Sequence, residues 1–91
     1  MNATSPDHFR AVFFEVLGAI APETDPATID PARPLREQVD LDSMDWLNVI
    51  IRLHERLGVD IPEQDYGELA TLNGVVAYLA RRAAPGAADV R

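Results

Sequence analysis

Three stretches of the chain repeat apolar residues at spacings of three and four, and a proline-rich segment separates the first from the second. Phe9, Val12, Phe13, Val16, Leu17 and Ile20 form the first set, the pattern of an amphipathic helix that buries one face. Trp46, Val49, Ile50, Leu53 and Leu57 form the second, with Leu47 and His54 at its border, and Val75, Val76, Tyr78 and Leu79 form the third. No run keeps two-residue alternation long enough for a sheet strand, so helices have to supply the core. Ser5 or Asp7 can cap the first helix, with Pro6 tolerated in its first turn. Gly58 can end the second as a left-handed residue, and Thr71 can cap the last, whose end carries Arg81 and Arg82. These signals predict helices over residues 6–20, 43–57 and 71–83. Pro62, with acids following it, adds a short helix over 62–68.

Residues 21–41 hold four of the seven prolines, Pro22, Pro26, Pro31 and Pro34. Each removes a backbone donor and disfavours helix in the residue before it, so this segment is expected to be a long loop. Ile29, Leu35 and Val39 are its few apolar members and are expected to pin it to the core, because a structureless connection of this length is uncommon in a compact domain. Residues 84–91 read as a flexible tail. With 91 residues and no internal repeat, the expectation is one domain: an all-α, small four-helix bundle with three main helices, one short helix and a long first loop.

Charge and cysteine content exclude several function classes. The chain has no cysteine, which removes disulfides, thiolate metal sites and cysteine nucleophiles. Its net charge is −7. Nucleic acid and anionic membrane surfaces both demand positive charge, so neither is an expected partner, and basic proteins are favoured instead. No apolar run approaches the length of a membrane span, and the amino terminus lacks a charged start followed by an apolar core. The chain is expected to act as a monomer in the cytoplasm. Its acids are unevenly spread: residues 21–45 carry −5 and residues 60–68 carry −4.

The constellation that carries chemistry is Asp40-Leu41-Asp42-Ser43-Met44-Asp45-Trp46-Leu47, a serine among aspartates where the proline-rich segment turns into a helix. Aspartate and serine are also preferred helix caps, so the motif by itself reads first as a cap. A catalytic reading fails. Eleven residues of helix put Ser43 and His54 about 16 Å apart along the axis, beyond hydrogen-bond reach. Asp40, Asp42 and Asp45 do not complete a calcium loop, because Met44 stands where a ligand belongs and Asp45 where glycine is required, so no metal site is assigned.

From Pro34 to Leu79 the chain resembles the acyl carrier protein family in motif, spacing and element order. Asp42-Ser43-Met44 resembles the family's Asp-Ser-Leu, in which the serine is esterified to 4′-phosphopantetheine. Leu35 and Val39 fall where the family places apolar loop anchors. Leu57-Gly58-Val59-Asp60-Ile61-Pro62 looks like its junction between the second and third helices, and Thr71-Leu72 with Val75-Val76-Ala77-Tyr78-Leu79 resembles its final helix.

The resemblance implies a carrier that is a substrate of other enzymes and not itself an enzyme. Ser43 would bear the arm, which a phosphopantetheinyl transferase moves from coenzyme A, with Asp42 helping to hold magnesium in that complex. The arm's thiol would carry acyl cargo as a thioester between acyl ligase or synthase enzymes, in fatty acid, lipid or specialised acyl biosynthesis. Met44, Asp45, Asn48, Ile51, Arg52 and Glu55 are the expected partner-binding residues. Met44, Leu47 and Ile51 share one edge of the helix; burial in the core is their expected role, with contact to arm, cargo or partner as the alternative. Trp46 is also placed in the core, close enough to the arm to touch a bound acyl chain. Asn48, Arg52, His54 and Arg56 stand where many housekeeping carriers look acidic, and Asp40 replaces a common glycine, which points to a specialised carrier with dedicated partners. The alternatives are an unmodified helical adaptor and an aminoacyl or peptidyl carrier.

Overall fold

A computed structural model describes residues 5–83. Helix α1 spans Pro6–Ile20, α2 is a single turn at Leu35–Gln38, α3 spans Ser43–Leu57 and α4 spans Leu72–Ala83. Two 3₁₀ segments, Pro26–Thr28 and Glu63–Leu69, complete the element order. The three long helices and the short third one are therefore present within a residue or so of their expected ends. The tail expected at residues 84–91 lies outside the described residues.

Each helix starts and stops for a local reason. The Ser5 hydroxyl accepts the His8 N–H at 3.3 Å, and Pro6 occupies the first turn. Gly58 ends α3 at φ +66°, where a side chain would strain the backbone, and its N–H donates to the His54 carbonyl at 2.8 Å. The Thr71 hydroxyl accepts the Gly74 N–H at 2.9 Å at the start of α4. The Glu63–Leu69 segment forms as a 3₁₀ helix. It has only seven residues, one of them Gly67, so it is too short and too poor in helix propensity to sustain an α ladder by itself.

Helix α1 packs against both α3 and α4, and the Glu63–Leu69 segment packs on α4. Phe9, Phe13, Leu17, Val49, Leu53, Leu69, Val75 and Leu79 form the centre of the core, each at most 1% exposed. Tyr78 is buried with them at 1% and donates its hydroxyl to Asp65 Oδ2 at 2.6 Å, tying α4 to the 3₁₀ segment. Burial first, and then that bond, push its phenol from 10.0 up to about 12.

The segment read as a long loop is more ordered than its prolines suggest. Ile29, Leu35, Val39 and Leu41 are buried and anchor it. Leu35 N–H donates to the Ala70 carbonyl at 2.8 Å, and Asn73 N–H donates to the Pro31 carbonyl at 3.0 Å, so the segment is bonded to the start of α4. The Gln38 amide gathers it from within: Oε1 accepts the Asp30 N–H at 2.7 Å, while Nε2 donates to the Asp30 and Arg33 carbonyls at 3.0 and 3.1 Å. Prolines and polar side chains here define a folded connection that contains α2, because its backbone groups find partners on a distant element.

Candidate functional site

Ser43 is the first residue of α3, and its side chain is exposed. The capping role belongs to its neighbour. Asp42 has extended backbone and its Oδ1 accepts the Asp45 N–H at 2.8 Å, while its carbonyl accepts the Trp46 N–H at 3.0 Å. With Asp42 serving as the cap, the Ser43 hydroxyl is not drawn back onto the helix end. The Ser43 and Met44 N–H groups have no partner within the helix and lie at its positive end, an arrangement that suits a phosphodiester oxygen.

The edge of α3 beside this serine differs from expectation. Met44, Leu47 and Ile51 do not enter the core: they are 66%, 37% and 44% exposed. Neighbouring elements cover the arc that holds Val49, Ile50 and Leu53, and among the described residues they leave the adjacent arc partly open. Three apolar side chains at one helix edge thus start next to Ser43 and run down the helix, interleaved with exposed Asn48, Arg52 and Glu55. Asp45 is half-buried. Arg56 is engaged within the chain, donating to Glu15 Oε1 of α1 at 2.6 Å.

Trp46 is likewise outside the core proper. It is half-buried, rests against the core cluster, and lines a groove of about 370 Å³ with Pro34, Arg36, Tyr66, Gly67 and Ala70. Arg36 and Tyr66 were not singled out by the sequence. They lie ten and twenty residues from Trp46, and no local pattern signals that α2, α3 and the 3₁₀ segment meet there. A second, larger groove of about 610 Å³ lies further along α3, lined by Ile50, Ile51, His54, Asp60, Ile61, Pro62, Tyr66 and Arg82. His54 belongs to this end of the helix. Its Nδ1 lies 2.9 Å from the Val59 carbonyl oxygen, so it supports the turn at Gly58 and does not meet Ser43.

Among the described residues no group of three or more His, Asp or Glu side chains could hold a metal ion, and no helix is long and apolar enough to cross a membrane.

Residues 7–79 match the model of the phosphopantetheine attachment site family, which places the Asp42-Ser43 helix start inside a match spanning most of the chain. The chain belongs to this family of acyl carrier proteins. It is 31% identical over 55 residues to the meromycolate extension acyl carrier protein of Mycobacterium tuberculosis, an alignment covering 60% of this chain and 48% of that protein. It is 25% identical over 83 residues to an acyl carrier protein of Rhodococcus erythropolis, covering 88% and 91%. A putative mitochondrial acyl carrier protein of Schizosaccharomyces pombe is 25% identical over 80 residues, covering 88% and 70%. The chain spans about half the length of the meromycolate carriers it matches. Members of this family are carriers and not enzymes, and bear covalently attached 4′-phosphopantetheine.

Proposed function

We propose that Ser43 is the attachment residue and that this chain presents acyl intermediates to a dedicated set of enzymes in specialised acyl biosynthesis. The observation that carries the reading is the division of labour at the start of α3: Asp42 satisfies the helix end, and Ser43 stands exposed beside it. When bound, the arm supplies a thiol that holds the acyl group as a thioester. The chain's own residues orient and recognise. The unpartnered N–H groups of the first turn hold the phosphodiester, and Asp42, already fixed by its bond to Asp45 N–H, faces the magnesium-dependent transferase that adds the arm. Met44, Leu47 and Ile51 offer apolar contact to whichever enzyme receives the cargo, with Asp45, Asn48, Arg52 and Glu55 setting its register.

The mixed charge of that face supports the specialised role. Asp42 and Asp45 lie near Ser43, whereas Arg52 is exposed two turns on, so a fitting partner carries basic groups opposite the serine and an acidic group further along. The relatives named for meromycolate extension support an acyl carrier role; the pathway here is a separate proposal, since only half of their length is matched.

Incubating the apo chain with coenzyme A, magnesium and a broad-specificity phosphopantetheinyl transferase tests the attachment residue. Mass spectrometry is expected to show one added phosphopantetheine on the wild type and none on Ser43→Ala. An addition that persists in Ser43→Ala, or none on the wild type with several transferases, overturns the assignment; the latter favours an unmodified adaptor.

A further inference from the structure

We infer that the cargo of this carrier is an aromatic acyl group, seated in the groove between Trp46 and Tyr66; the inference rests on the attachment reading for Ser43. Trp46 follows Ser43 by three residues, so the two are neighbours on the helix surface, with Cβ atoms about 5–6 Å apart. One wall of the groove thus lies within a helical turn of the attachment point, within reach of a long flexible arm that folds back. Its walls are two aromatic rings, Pro34, the small residues Gly67 and Ala70, and Arg36; no branched aliphatic side chain lines it.

That lining discriminates between cargo chemistries. Aromatic surfaces gain from edge and face contacts with another ring beyond the area they bury, which an alkyl chain does not reproduce. Arg36 adds a planar cation at the rim. Its side chain is exposed and forms no ion pair among the described residues, so it can stack over a π face. Gly67 and Ala70 keep part of the wall flat. The volume of about 370 Å³ admits one or two rings together with the end of the arm.

The groove richer in aliphatic surface fits less well with the attachment point. Its first α3 residue, Ile50, lies seven residues past Ser43, about 10 Å along the axis, and His54, Asp60 and Arg82 bring charge or polarity to its lining.

The test loads the apo full chain from coenzyme A, benzoyl-coenzyme A and octanoyl-coenzyme A with the same transferase, verifies each product by mass, then measures Trp46 emission and thermal midpoints. Trp46 is the chain's one tryptophan, so the emission reports this groove alone. The benzoyl form is expected to change Trp46 emission relative to the unacylated form and to melt about 4–8 °C above the octanoyl form. Tyr66→Leu and Arg36→Gln, which keep the fluorophore, should each reduce that difference; Arg36 is exposed, so its replacement leaves the core intact. Absence of any mass gain overturns the Ser43 reading and this inference with it. A mass gain followed by unchanged Trp46 emission, an octanoyl form equally or more stable, or a benzoyl effect untouched by both substitutions overturns the aromatic cargo alone.

Discussion

Replacing Gly74 by alanine sets two physical effects against each other, and the structure decides which wins. Within a helix, alanine is favoured over glycine by about 0.8–1.0 kcal/mol, so local propensity predicts a gain. The backbone of α4 denies it. A Cβ at Gly74 would press into the Glu68 carbonyl oxygen, well inside contact distance, and would lie 3.2 Å from Thr71 Oγ1. The first obstacle is backbone and cannot rotate aside. The second is the hydroxyl that accepts the Gly74 N–H, so moving it gives up the bond that starts α4. Overpacking typically costs 1–3 kcal/mol, and a clash with backbone that cannot move aside belongs to the upper part of that range, about 2–3 kcal/mol, which outweighs the propensity gain and leaves a net loss of about 1–2 kcal/mol. In a domain of this size that lowers Tm by roughly 4–16 °C. Gly18→Ala is the control, because Gly18 lies inside α1 with nothing within 4 Å of the added methyl, and up to about 1 kcal/mol of gain is expected. Urea unfolding followed by circular dichroism, with unchanged slope, reads both variants. If Gly74→Ala proved as stable as the wild type or more so, the close packing of α4 on the Glu63–Leu69 segment would be refuted.

The remaining predictions address the site and the core. Leu53→Ala, at a 1% exposed position, should lose about 2–5 kcal/mol in urea unfolding, whereas Met44→Ala should stay within about 0.5 kcal/mol; equal losses would mean that both side chains are buried. Asp42→Asn should keep the cap and most of the stability while slowing arm transfer, and Asp42→Ala should also lose about 1 kcal/mol, so equal transfer by all three proteins would dismiss a role for the carboxylate. Transfer should slow as ionic strength rises through about 0.1 M, where the screening length is ~10 Å, and Asp45→Asn should flatten that dependence; a salt-independent rate would instead assign docking to Met44 and Ile51. Tyr78 holds its proton to about pH 12 in the folded chain against 10.0 unfolded, so its contribution is complete below pH 10 and is lost as pH rises toward 12. Stability measured across that window should fall less steeply for Tyr78→Phe than for the wild type, and parallel profiles would contradict the shift.

Much of the fold was legible because its signals are local. The spacing of Phe9 through Ile20, the turn at Gly58 and the Thr71 cap each act within a few residues, and Ser43 could be placed at a helix start from its neighbours alone. Other features were hidden because they depend on distant partners. Nothing near Leu35 or Asn73 announces that their N–H groups bond to Ala70 and Pro31, so the proline-rich segment read as a loop. Tyr78 and Tyr66 look alike in sequence, yet one is a core residue bonded to Asp65 and the other walls a groove.

The amino-acid order by itself determined that this chain is helical, where its main helices begin and end, and which serine stands at the threshold of α3, since hydrogen bonding along one helix and the chemistry of its caps reach no further than a turn. The packed chain alone decided which edge of α3 meets water. A helical wheel gives the width of an apolar arc, whereas α1 and the adjoining segments settle how much of that arc is covered; they cover Val49, Ile50 and Leu53 and leave Met44, Leu47 and Ile51 in the open. The groove that joins Trp46 to Arg36 and Tyr66 has the same origin, a meeting of three elements that the fold alone brings together.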